Sequence, residues 1–353
     1  MKKTVLIIFG GKSTEHDVSL VSAASVIRNI PRDKYDVLTL GITKEGEWFL
    51  FDGSADEIES GAWLNGKRAK AFVSPDAGAG LALFEDGSLT YRHIDVIFPV
   101  LHGKNGEDGT VQGLFELSGI PYVGCGHLSS AVTMDKQFTN LIADFHSVKQ
   151  AKWTFTDRYA YVLSSETVLN DAERKLGYPI FVKPANAGSS VGITKAHDRA
   201  ELSQAVEKAL AVDSKVIFEE TIVGKEIECA VLGNDEPIVS VAGEIAPAAE
   251  FYDYDAKYVS DSKLYIPARL DEKTMMRVRA EAIRVFRAMD ATGFSRVDFF
   301  VTAENEIYFN EINTIPGFTS ISMYPKLFEA SGIPYPELID RLLELAIERY
   351  RNK

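Results

Sequence analysis

The chain has 353 residues, 46% of them apolar and 25% charged, which is enough for two or three packed domains and too mixed for a disordered protein. A formal net charge of −13 argues against a nucleic-acid partner, because phosphate backbones are gripped by clustered Lys and Arg that an acidic chain does not have spare; a small polar substrate fits better. Nowhere do about 18 apolar residues follow one another, so a helical membrane span is excluded.

In chain order, the positive start followed by residues 5–9 resembles a signal peptide, but the apolar run is shorter than the ~7–15 residues a signal needs and reads as a buried strand. It ends in Gly10-Gly11, after which Val18, Val21, Ala24 and Ile27 recur at helical spacing, giving strand, glycine turn and helix. Residues 37–42, 96–101 and 121–124 add strand-like pieces, consistent with an open parallel sheet in an α/β unit. Between them, residues 52–87 are rich in Gly, Asp, Ser and Ala and read as a peripheral hairpin or loop. A helical pattern covers 128–146, and three β-like runs at 178–182, 192–194 and 215–219 surround a helix at 200–210. From about Lys225 a third module begins, with strands at 227–232, 238–245, 296–301 and 307–313 and a closing helix striped by Leu338, Ile339, Leu342, Leu345 and Ala346. The two cysteines, Cys125 and Cys229, have no metal-ligand spacing and read as buried or semi-buried free thiols in a reducing compartment.

The strongest chemical signal is the pair SRVDFFV and IYFNEIN, joined by TAENE. Arg296 and Asp298 share one strand face, and Glu311 and Asn313 share the next, so four polar groups can converge at one end of a hairpin. An oxygen-only set of Asp, Glu and Asn suits Mg²⁺; a solvated face carrying a cross-strand Arg–Asp pair is the bland alternative. In TIPGFTSIS, which follows directly, the N–H of Gly317 is a candidate oxyanion donor, with a plain surface loop as the alternative.

FVKPANAGSSVGI places Lys183 at a strand end before a loop of Gly188, Ser189, Ser190 and Gly192, whose N–H groups can cover phosphates, though such loops are often only flexible turns. It is not a Walker A loop, and GGKS at 10–13 also fails that pattern because position 6 is Leu6. HGKNGEDGT, 102–110, follows a strand at the sheet edge where α/β folds bind ligands; His102 either serves such a site or caps the next helix. Glu15 lies at the same edge, as a ligand group or as a helix N-terminal charge. EFYDYDAKY, 250–258, is too aromatic and charged for a passive linker and reads as a substrate lid, or as a subunit contact.

These pieces, with GGKSTEHDVSL, TMDK, and NEINTIPGFTSISMYP, occur in an order that resembles the D-alanine:D-alanine ligases of the ATP-grasp superfamily over nearly the whole chain. The resemblance implies an N-terminal open parallel-sheet α/β domain (1–125) and a two-part, α+β ATP-grasp domain (126–223 and 224–353). It implies that ATP phosphorylates the first D-alanine and that the amine of the second attacks the acylphosphate. By resemblance Glu15 holds the first ammonium with His102 close by; Lys136 and Lys183 bind ATP phosphates, 219–222 (Glu219, Glu220, Ile222) the adenine and Glu226 the ribose. Asp298, Glu311 and Asn313 ligate two Mg²⁺, for which Mn²⁺ can substitute, while Arg296 and Gly317 stabilise the tetrahedral oxygen. Ser189 and Tyr258 join Glu15 in a hydrogen-bonded group, Lys257 reaches the γ-phosphate, and Ser322, followed by Met323, meets the second substrate's carboxylate.

Glu220 departs from relatives that carry Lys there. A vancomycin-resistance type D-alanine:D-serine or D-alanine:D-lactate ligase is the nearest rival; Tyr258, Met323 and Val191 favour D-alanine. A nucleotide-binding protein without turnover would not need Arg296, Lys257 and Ser189, and a dehydrogenase would need a G-x-G-x-x-G that is missing after the first strand. The family resemblance further implies a cytoplasmic homodimer acting on small molecules, without nucleic acid or membrane.

Overall fold

The computed structural model describes residues 2–85, 87–188, 191–246, 263–319 and 321–352. Three sheets organise it. The first contains β1 (Lys3–Gly10), β2 (Tyr35–Ile42), β3 (Trp48–Phe51), β4 (Arg68–Val73), β5 (Leu81–Glu85), β6 (Ser88–Arg92) and β7 (Val96–Val100), in the order β6-β5-β4-β3-β2-β1-β7. The expected parallel pairing holds for β2-β1-β7, whereas β2 to β6 form an antiparallel meander. The hairpin expected within residues 52–87 is present as β4 and β5, but it is part of the sheet rather than a peripheral elaboration: Ala71, Val73, Leu81 and Leu83 are buried in the core.

The second sheet has β8 (Trp153–Asp157), β9 (Ile180–Pro184), β10 (Thr194–Ala196) and β11 (Lys215–Glu220), in the order β10-β9-β11-β8 and antiparallel throughout. It has its own apolar core, including Ile180, Val182, Leu202, Val206 and Phe218. The third has β12 (Lys225–Gly233), β13 (Ile238–Val239), β14 (Gly243–Ala246), β15 (Lys263–Tyr265), β16 (Gly293–Val301) and β17 (Ile307–Asn313), ordered β15-β14-β12-β16-β17 with β13 on β12. Residues 238–245 form two short strands because the chain breaks between β13 and β14. The helical stretch 128–146 is likewise two helices, His127–Met134 and Lys136–Phe145, separated at Asp135, which accepts from Gln137 N and so caps the second.

One apolar cluster joins the first sheet to the third, running from Val5, Phe9 and Phe98 through Phe294, Phe318 and Tyr324 to Leu338 and Leu342 of the helix Tyr335–Arg351. Phe318 meets Phe98, Phe294 and Tyr324 with ring centroids 5.9, 5.5 and 5.3 Å apart, and Tyr335 Oη donates to its carbonyl at 2.6 Å. Aromatic packing of this kind contributes beyond area burial, and here it anchors the turn at Gly317 between two sheets. Cys125 and Cys229 are free and buried, as expected. No helix among the described residues is long and apolar enough to cross a membrane.

Candidate active site

Antiparallel pairing of β16 with β17 sets Arg296 opposite Asn313 and Asp298 opposite Glu311, and β12 on the other side sets Glu228 opposite Asp298. Directly opposed residues project to one face, so five polar side chains gather on otherwise apolar strands. Arg296 donates to Asp298 through Nε at 2.8 Å and Nη2 at 2.7 Å, and its Nε lies 3.2 Å from Glu228 Oε2. Burial works against the guanidinium charge, but Asp298 and Glu228 more than offset it and hold the group protonated. Asn313 Nδ2 donates to Asp298 Oδ2 at 3.0 Å. Glu228 was not singled out from the sequence; the alternation of Glu226 and Glu228 inside KEIECAVLG is the signal that marks a polar face there.

The same group suits a hard cation. Asp298, Glu311 and Asn313 supply oxygen donors on neighbouring strands, while no three acidic, His or Cys side chains converge for a metal among the described residues. Two carboxylates and an amide are the donor set of Mg²⁺, a cation that fills its remaining positions with water and substrate phosphates.

Two lysines, one from the second sheet and one from a helix start, lie within electrostatic range of each other, and the latter also of this group. Lys183 of β9 pairs with Glu219 of β11 at 2.5 Å, both side chains largely buried. Lys136, first residue of its helix, donates to Ala187 O at 2.9 Å. Burial lowers the pKa of this amine, with the Glu311 carboxylate opposing that shift and Lys183 adding to it. Lys136 thus sits within electrostatic range of both the strand cluster and the glycine–serine loop.

From the first sheet comes Glu15, buried at the start of the helix His16–Asn29. Its side chain does not cap that helix; the carboxylate accepts from Ser13 Oγ at 2.9 Å and Thr14 Oγ1 at 3.1 Å. Two glycines flank it: a Cβ on Gly103 would lie 1.9 Å from Glu15 Oε2, and one on Gly188 2.5 Å from Oε1. The loops of two different sheets thus close on one carboxylate. His102 is buried and makes no helix cap: Nδ1 lies 3.0 Å from Ile315 O and Nε2 3.1 Å from Ser22 Oγ, and burial lowers its pKa, favouring the neutral ring.

Glu107, also missed in the sequence, links these parts. Its carboxylate accepts from Gly103 N at 2.7 Å and Ile315 N at 3.1 Å, tying the loop beside Glu15 to the segment between Asn313 and Gly317. Only its place in HGKNGEDGT, a turn too polar to be idle, hinted at this. Desolvation, then repulsion from Glu15, pushes its pKa from 4.5 up to about 8 despite the two N–H donors. In that window the folded chain keeps a proton the unfolded chain releases, so this group's contribution to stability is full below pH 4.5 and is lost as pH rises through about 8. Thermal melts should therefore show wild type losing stability relative to Glu107→Gln between about pH 5 and pH 8.5; parallel curves would show that the proton is not held.

Gly317 stands against Ser322, whose Oγ would lie 2.8 Å from a Cβ there. Ser322 Oγ accepts from Thr319 N at 3.1 Å and pairs with Thr319 Oγ1 at 2.7 Å. Met323 is not brought to this group: it is buried in the core, and a Cβ on Gly243 would lie 2.3 Å from its Cε. The Glu220 carboxylate accepts from Lys152 N at 2.8 Å and its backbone N donates to Lys152 O at 2.9 Å, so the side chain is engaged on β8's side, while Ile222 beyond it is half-buried. Glu226 lies on β12, two residues before Glu228 and on the same face. Ser189, Lys257 and Tyr258, and the stretch 250–258 read as a lid, lie outside the described residues.

Two family models match, described as D-ala D-ala ligase N-terminus over residues 4–125 and D-ala D-ala ligase C-terminus over 142–344. The chain belongs to the D-alanine–D-alanine ligase family. Curated relatives of that name include those of Acetivibrio thermocellus, 51% identical over 99% of this chain and 97% of its own length, and Clostridium acetobutylicum, 52% identical over 99% of both. Among solved structures, the VanG D-Ala:D-Ser ligase from Enterococcus faecalis matches with a TM-score of 0.90 and 42% identity, covering 98% of this chain and 100% of that one. The mixed α/β architecture, with its two antiparallel sheets after a partly parallel one, is that of the ATP-grasp ligases, as the resemblance implied.

Proposed function

We propose that the chain joins two D-alanine molecules into D-alanyl-D-alanine at the expense of ATP, through a D-alanyl phosphate, for peptidoglycan precursor synthesis. The observation that carries this reading is the face shared by Arg296, Asp298, Glu311 and Asn313, with Lys136 in electrostatic range of Glu311 and of Lys183, and Glu107 in range of both Arg296 and Glu15. A permanently charged arginine beside an oxygen-donor set and two phosphate-directed amines is what phosphoryl transfer to a carboxylate followed by acyl transfer demands.

Glu15, enclosed by Gly103 and Gly188, holds the ammonium of the first D-alanine, with neutral His102 fixing the floor beside it. Lys136 and Lys183 hold ATP phosphates; the backbone of 219–222 takes the adenine and Glu226 the ribose. Asp298, Glu311 and Asn313 would hold two Mg²⁺, or Mn²⁺ in their place, which would supply charge neutralisation for phosphoryl transfer. Arg296 and the Gly317 amide stabilise the oxygen of the tetrahedral intermediate, and Ser322 binds the second substrate's carboxylate. Ser189, Tyr258 and Lys257 complete the enclosure, which keeps water from an acylphosphate that hydrolyses readily. The enzyme acts in the cytoplasm as a homodimer.

A second reading, ligation of D-alanine to D-serine, draws support from the VanG neighbour. An added hydroxyl is weakly rejected by an apolar pocket, so sequence kinship alone does not separate the two. Supplying ATP, Mg²⁺ and D-alanine with and without D-serine or D-lactate, and weighing the product by mass spectrometry, separates them. D-alanyl-D-alanine should dominate under competition. D-alanyl-D-serine alone would replace the first reading with the second, and no phosphate release with any D-amino acid would remove both.

A further inference from the structure

The stem of the glycine–serine loop is held more tightly than a flexible turn requires. Each of the three residues after β9 is pinned: Ala185 N donates to Lys215 O at 3.0 Å and Ala185 O accepts from Lys136 N at 3.0 Å. Asn186 donates twice to Asp213 Oδ2, from its backbone N at 2.8 Å and its Nδ2 at 2.9 Å, and Nδ2 also lies 3.2 Å from Asp135 Oδ2. Ala187 O receives Lys136 Nζ. The next residue is Gly188, which touches Glu15.

We propose that Asp213 is a positioning residue for the ligation reaction, acting through Asn186 to set where the loop over the phosphates meets the first-substrate carboxylate. The proposal rests on the reading that this loop covers the ATP phosphates. One residue, Ala187, separates Asn186 from Gly188, so few backbone torsions lie between them in which a shift at Asn186 can be absorbed. The far end of the loop is fixed as well: Gly192 has φ +78°, and a Cβ there would lie 2.9 Å from Pro184 Cγ. Asp213 is suited to the task because amides engage it. Burial would raise its pKa, but the Asn186 side chain and the N–H groups of Asn186, Ser214 and Lys215 outweigh that and keep it a carboxylate. No Lys or Arg pairs with it among the described residues, so its charge is directed at the loop stem.

The consequence is chemical coupling. In the coupled reaction the second amine attacks the acyl carbon, the bond to the phosphoryl oxygen breaks, and one phosphate leaves for each dipeptide. If the loop sits out of register, water attacks the same carbon and returns D-alanine and phosphate, so ATP is consumed without a peptide bond.

The test compares wild type, Asp213→Ala and Asp213→Asn for dipeptide and phosphate formed, KM for ATP, and melting temperature. Asp213→Ala should raise the ATP KM about tenfold, as loss of charge-assisted hydrogen bonds implies, and release at least about two phosphates per dipeptide against one in wild type. Asp213→Asn keeps an acceptor oxygen for the Asn186 amide and should return the ratio toward one. Asn186→Ala, which removes only the side-chain bonds, gives the same readout should Asp213→Ala not fold. A ratio of one with wild-type KM in the soluble variants, or activity lost only in step with the folded fraction, would overturn the proposal. Wild type releasing no phosphate with D-alanine would instead overturn the ligase reading.

Discussion

Replacing Arg296 by alanine is expected to lower turnover by about 10³-fold while leaving nucleotide affinity within a few-fold of wild type, because a donor aimed at developing oxyanion charge contributes about 10²–10³ in rate and no nucleotide contact is removed. The variant will also be less stable. Arg296 lies between Glu228 and Asp298 with 11% of its side chain exposed, and deleting one partner of a buried pair leaves uncompensated charge, at a cost of about 3–5 kcal/mol. Arg296→Lys separates the two effects. It keeps the positive charge but not the fork that meets both Asp298 oxygens, so the melting temperature should recover most of its loss while turnover stays down about 10²-fold. Single-turnover rates and nucleotide titrations check this. If lysine restored both stability and rate, the charge alone would matter and the directional role of the guanidinium would be lost; a collapse of nucleotide binding in Arg296→Ala would show that its place is with the nucleotide.

Gly103→Ala should be nearly as damaging, and specifically for the amino acid. Its φ is +71°, and the added Cβ would fall 1.9 Å from Glu15 Oε2 and 2.8 Å from Ser13 Oγ, distances that no relaxation of the methyl itself can relieve. Either Glu15 moves or the loop held by Glu107 does. Loss of a charge-assisted hydrogen bond to a substrate ammonium costs about 1.5–3 kcal/mol, so kcat/KM for D-alanine should fall by up to about 10²-fold with the ATP KM little changed. Gly78→Ala is the control: φ is +79° and nothing lies within 4 Å of its Cβ, so it shares the backbone strain without the clash. Equal loss in both variants would assign the effect to folding.

Much of this was legible in the residues. Period-2 spacing put Arg296 with Asp298 and Glu311 with Asn313, and the antiparallel register then aligned the two pairs without slippage until the bulge after Asp298. Apolar continuity likewise announced β1, β7 and β12, which are buried on both faces. What stayed hidden was long-range. β5 does not alternate, being buried over Leu81–Leu83 and exposed after, and its strand character comes from its pairing with β4 and β6 rather than from its own pattern. Glu107 and Asp213 gain meaning only when folding brings them to Ile315 and Asn186, and no local spacing encodes those encounters. Met323 erred the other way: its place after Ser322 suggested substrate contact, but the start of the helix Met323–Ala330 turns it under Gly243.

Mn²⁺ titration of the protein in the presence of ADP, followed by electron paramagnetic resonance, tests the central claim most directly. Wild type should bind Mn²⁺ with an affinity raised by the nucleotide, and both Glu311→Gln and Asp298→Asn should lose that nucleotide-dependent binding while still melting cooperatively. Unchanged Mn²⁺ binding in both folded variants would mean that the oxygens of β16 and β17 hold no cation against the phosphates, and the proposed chemistry would have no centre.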